Sequence, residues 1–333
     1  MPELQLKSHR FRQEREADWR RLEQLLVRVE KGSAASLSYE EMVALPGLYR
    51  SALSSLSVAR AISLDRSVTE YLEALCTRAY FFVYGPRSTL QDRLTGFFAH
   101  AWPQAVKALW RETAWSAALM LAGAVAGWML VASDPDWFYA FVSHGMANGR
   151  DPTATTEFLR KALYDNGGKS GLSVFATSLF THNAEVSVFA FALGFAFCLP
   201  TAFLIIANGA GMGALLAVYS QHGLGWQLGG WLMIHGVTEV SSLILSGAAG
   251  FRLGWTVAFP GGRSRVDALA DAGRQAATVM AGVVVMLFLA GLLEGFGRQL
   301  ITNDYIRYAI ALTSAVVWGV YFYAPRAARH GQS

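Results

Sequence analysis

Residues Leu228–Gly250 read LGGWLMIHGVTEVSSLILSGAAG. As a helix rising ~1.5 Å per residue, this stretch is long enough to cross a ~30 Å hydrocarbon core. His235 and Glu239 sit inside it, four residues apart, and so stack on one helical face. Ionisable groups at membrane depth are costly, so they face a bundle interior or a wet cavity and mark function by default. The stretch therefore predicts both a membrane-spanning helix and an inward-facing polar site.

Comparable apolar blocks recur on either side. With Leu228–Gly250 they predict six spans, at about 113–132, 184–199, 201–221, 228–250, 276–296 and 306–324. Composition agrees: 53% of the 333 residues are hydrophobic and only 16% charged, with mean hydropathy +0.30. A soluble α/β enzyme would show short apolar runs cut by polar turns. The expected fold class is thus an all-α polytopic membrane protein. A helical domain is expected at 1–112, a transmembrane bundle at 113–325 and a polar tail at 326–333.

The N-terminal part reads as amphipathic helices. Trp19, Leu22, Leu25, Leu26 and Val29 recur at helical spacing among Arg and Glu. Ser38-Tyr39-Glu40-Glu41 has the form of a capping box and starts a second helix. A third runs from about Ser67 to Tyr84. A fourth begins near Ser88 and leads towards the membrane, with Pro103 as its break. In the loop before span two, a short helix is expected from Thr153 to Tyr164. Leu172–Phe180 is apolar but too short to cross, so it is interfacial, re-entrant or an extension of span two.

Most of the 28 Lys and Arg fall before Thr113, in the loop after Phe251 or in the tail. On the positive-inside rule this places both termini in the cytoplasm. The net charge of +4 is therefore an orientation signal and not a nucleic-acid groove. Cys76 and Cys198 are too few and too far apart for a disulfide framework or a CxxC metal site. No apolar core follows Met1, so no cleavable leader is expected.

This topology gathers the polar residues. His182 and Glu185 lie at the outer end of span two, and Glu294 at the outer end of span five. His235 lies ~10 Å in from the outer end of span four, with Glu239 one turn deeper. Asn183 and Asn208 are near. The candidate cluster is Asn183, Glu185, Asn208, His235, Glu239 and Glu294. The candidate metal ligands are His182, Glu185, His235 and Glu239, a His and carboxylate set suited to zinc.

Three readings stay open at this point. The cluster can hydrogen-bond across helices and hold the bundle or a partner-binding face. It can bind metal, and a catalytic zinc would make the protein an intramembrane hydrolase. Or the Gly-interrupted stretch Asn208–Gly213 and the protonatable pair can line a path for a small or lipidic substrate. No HExxH, GxSxG or Walker pattern specifies an enzyme.

Several motifs resemble the stage II sporulation protein M family, in its non-sporulating bacterial branch. They are Phe11-x-x-x-Arg15-Glu16-Ala17-Asp18-Trp19-x-x-Leu22, Leu48-Tyr49-Arg50, Arg78-Ala79-Tyr80 and Phe98-x-x-x-Trp102-Pro103. Asn183, Gly194, Asn208-Gly209 with Gly213, and above all His235-Gly236-Val237-Thr238-Glu239 followed by Gly250, complete the likeness. The family's outer-face Asn stands here as His182-Asn183, so the resemblance selects Asn183, Asn208, His235 and Glu239. It implies a membrane scaffold for peptidoglycan-related envelope machinery. The implied partners are the lipid bilayer, membrane or periplasmic proteins of the envelope and a second copy of the chain, with no nucleic acid and no required cofactor.

Overall fold

A computed structural model describes residues 2–31, 37–62, 65–84, 90–164, 172–297 and 300–325. Among them every regular element is a helix. The chain divides into two units, Met1–Arg93 and Leu94–Ser333.

The first unit holds α1 (Pro2–Lys31), α2 (Tyr39–Ala61) and α3 (Arg66–Tyr84). Its core is the stripe read from sequence: Trp19, Leu22, Leu25 and Leu26 pack against Leu45, Leu56, Leu72 and Leu75. The Ser38 hydroxyl accepts from the Glu41 amide at 3.2 Å, and Glu41 accepts from the Ser38 amide at 2.9 Å, which closes the capping box.

The boundary between the units falls within α4 (Leu90–Gly96), and the second unit continues with a π turn at Phe97–Ala101 and α5 (Trp102–Ala108), where Pro103 occupies the tolerated first turn. α6 (Trp110–Ser133) follows, then the short α7 (Phe138–Phe141), α8 (His144–Ala147) and α9 (Thr156–Tyr164). The remaining helices are α10 (Leu172–Ala192), α11 (Leu199–Gln221), α12 (Gly225–Ala258), α13 (Arg265–Leu292) and α14 (Asp304–Tyr323). Five helices are long and apolar enough to cross a membrane: α6, α11, α12, α13 with its closing turn to Gly297, and α14. α10 adds a shorter apolar stretch, Asn183–Phe195.

Of the three readings of Leu172–Phe180, the extension of span two is the one found: the stretch is the start of α10. The break between α10 and α11 lies before Pro200, which sits in the first turn of α11. It is made by a 3₁₀ turn at Leu193–Phe195 and by Phe197 and Cys198, both left-handed with φ of 56° and 70°.

The expectation for Asn208–Gly213 needs correcting. The run does not interrupt α11, which is continuous from Leu199 to Gln221. Its glycines form a contact surface. A Cβ at Gly209 would overlap the carbonyl oxygen of Met120, and one at Gly213 that of Ala124. On the facing helix, Gly123 and Gly127 stand equally close to the Ile206 and Ala210 carbonyls. Small residues on both sides let the backbones of α6 and α11 meet, as membrane helices require when apolar burial alone cannot hold them.

α12 is the axis of this unit. It packs against α6, α10, α11, α13 and α14, and its 34 residues span about 51 Å.

Candidate functional site

His235 and Glu239 lie one turn apart on α12, as their spacing predicts. His235 is buried, and its Nε2 stands 3.8 Å from Oε2 of the half-buried Glu239. Glu294, buried as deeply as His235, approaches from the π turn Leu293–Gly297 that ends α13, with Oε1 3.6 Å from the same Nε2. One ligand atom from each residue lies within 4.8 Å of the others. Trp231, one turn before His235, presents a T-shaped ring contact at 6.4 Å.

The rest of this face of α12 is polar and satisfied close by. The Trp318 indole on α14 donates to the Thr238 hydroxyl at 3.0 Å. The Ser242 and Ser246 hydroxyls donate to the Thr238 and Ser242 carbonyls at 2.8 and 2.9 Å, the i−4 bond open to serine in a helix.

Glu239 also borders a small cavity of about 90 Å³ between α10, α11 and α12. Asn183 and Ser187 line it from α10, and Asn208 from α11. The Asn208 amide donates to the Leu204 carbonyl of its own helix at 2.8 Å. The structure therefore brings His235, Glu239 and Glu294 into one group, and Glu239, Asn183 and Asn208 round one cavity.

Glu185 is in neither. It is exposed, because two residues beyond Asn183 turn the chain about 200° round the helix. The expected meeting of two His/Glu pairs is thus replaced by one pair and Glu294. The His182 side chain lies outside the described residues.

A second polar group, built round Arg307, was not singled out in the sequence. Arg307 is fully buried. Its Nε donates to the Ile301 carbonyl at 2.7 Å, and its guanidinium also reaches Asp304 Oδ1 at 3.1 Å and the Leu163 carbonyl at 3.4 Å. The group lies 5.2 Å from the Tyr164 ring centre, and the Tyr164 hydroxyl donates to Asp304 Oδ2 at 2.6 Å. The available signal was Asp304 three residues before Arg307 at a helix start, with Asn303 as its cap.

Burial, then the hydrogen bond to Asp304, pushes the Tyr164 phenol up to about 12 from its ordinary value near 10. A raised folded pKa contributes stability that is complete below the unfolded value and disappears as pH rises through the folded one. The intact chain should therefore lose thermal stability between about pH 10 and 12. Tyr164→Phe should flatten that part of the curve, which is measurable by thermal unfolding across alkaline pH. An unchanged curve would remove Tyr164 from the account.

Contacts at the other end of the bundle complete the frame. Arg252 on α12 pairs with Glu112 on α6 at 2.7 Å and donates to the Ala108 carbonyl at 3.0 Å.

Five long apolar helices and a buried ionisable group define an α-helical polytopic membrane protein. The model described as Stage II sporulation protein M matches residues 116–297, more than half of the chain, and the chain belongs to that family. A second, described as a domain of unknown function (DUF8413), matches residues 9–85. No curated protein and no solved structure matches.

Proposed function

We propose that the protein is a scaffold of the bacterial inner membrane that supports peptidoglycan-related envelope machinery, with α10 as a sixth crossing and both termini in the cytoplasm. The observation that carries this reading is the small size of the polar cavity beside Glu239. A cavity of about 90 Å³ has room for roughly three waters, whereas small-molecule sites run to ~300–1,000 Å³. The unbroken α11 points the same way, because the transport reading relied on a broken helix there. The polar residues of α12 then serve to fasten helices, and the first unit offers the surface on which cytoplasmic partners dock.

Deleting the gene should sensitise cells to osmotic shock and to wall-targeting antibiotics. The intact chain should restore resistance. So should Asn208→Leu, which fills the cavity while α11 keeps its contacts. Equal resistance of deleted and intact cells would end the envelope reading. A folded, membrane-inserted Asn208→Leu protein that fails to restore resistance would favour passage of a solute through the cavity.

A further inference from the structure

We propose that His235, Glu239 and Glu294 hold a divalent metal ion of the zinc class, with a water from the Asn183–Asn208 cavity as the fourth ligand. The first argument is spacing. Zinc bonds of ~2.0–2.2 Å in a tetrahedron place neighbouring ligand atoms about 3.3–3.6 Å apart. The His235 nitrogen stands 3.6 and 3.8 Å from the two carboxylate oxygens, and all three ligand atoms fall within 4.8 Å. These separations exceed an N–H···O hydrogen bond and approach the edges of a coordination tetrahedron. Rotation of the half-buried Glu239 about its own torsions covers the difference.

The second argument is charge. One imidazole and two carboxylates are a donor set that a divalent ion of the zinc class accepts, and the ion's two charges match those of two carboxylates. Protons on the same groups are the competing answer.

The third argument is construction. His235 and Glu239 are fixed on one rigid helix at i and i+4, and Glu294 is presented by a π turn, an irregularity frequent at functional sites. Glu239 faces the ligand group and the cavity at once, so a water in the cavity lies beside any ion that Glu239 binds. Three protein ligands with a water in the fourth position is an open zinc coordination, whereas structural sites close all four positions with protein.

The test uses the full chain in lipid nanodiscs, stripped with chelator and titrated with Zn²⁺ by calorimetry and with Co²⁺ by absorption. Saturation at one ion per chain and the ligand-field bands of four-coordinate Co²⁺ are expected. Glu294→Gln and His235→Ala should each weaken Zn²⁺ binding by about a hundredfold or more, since even groups that only orient a ligand cost 10–100-fold. Glu185→Gln, on the exposed face of α10, should bind as the parent does. If Glu294→Gln does not fold, Glu239→Gln carries the same expectation at a less buried position. Failure of the parent chain to saturate, or parent-like affinity in Glu294→Gln, would overturn the metal and leave protons as the neutralising charge. The proposal does not depend on the envelope role: binding is read on purified protein and that role in cells, so either can fail alone.

Discussion

Gly213→Val should leave little folded protein. A side chain at this position would run into the Ala124 carbonyl and the adjoining backbone of α6, and backbone has no free end to swing aside. The two helices must separate, which also opens the contacts at Gly123, Gly127 and Gly209. Overpacking a close-packed interior costs about 1–3 kcal/mol where side chains can adjust, so a rigid backbone clash belongs at about 3 kcal/mol or more. Gly319→Val is the matched control, because a Cβ at that exposed position on α14 meets nothing within 4 Å. Monodispersity and thermal unfolding in detergent read the difference. Parent-like stability of Gly213→Val would mean that α6 and α11 do not pack through their glycines.

Arg307→Met should be the most damaging change at the end of the bundle where α14 begins. The side chain fits a methionine by length, so the loss is electrostatic. The guanidinium ties together α14, the segment before it and the last turn of α9 through Asp304, Ile301 and Leu163. Removing it leaves Asp304 with the Tyr164 hydroxyl but without its cation and takes a donor from two carbonyls, at a cost of about 3–5 kcal/mol. Arg307→Lys keeps the charge but lacks the planar fork that serves several acceptors together, so it should fall between the two. A melting temperature within error of the parent's for Arg307→Met would refute this account.

Both predictions arise where sequence reading was weakest. Span length and the i, i+4 pairing of His235 with Glu239 were legible because they depend on rise and turn alone. The same is true of the Ser38–Glu41 capping box. The face of α10 was not legible: a helix apolar on all sides has no stripe to orient it, so Glu185 was grouped with Asn183 although it points away. Asn208–Gly213 misled for a related reason. Glycine weakens a helix in water, but in a membrane it buys close approach, and neighbouring α6 decides which effect wins. Arg307 was not singled out because two of its acceptors are backbone carbonyls, one of them on distant α9, and only Asp304 at i−3 leaves a local pattern.

The length of α12 has a consequence for depth. Trp226 and Trp255 are exposed near its two ends, 29 residues or about 44 Å apart along the axis. That matches the ~40–45 Å thickness of a bilayer with its headgroup regions included, and those interfacial regions are where tryptophan is enriched. Two such moorings hold the helix like a gauge rod between the lipid surfaces. His235 then hangs about 14 Å below the nearer one, at a level fixed by the rod itself, whatever the loops outside the membrane do.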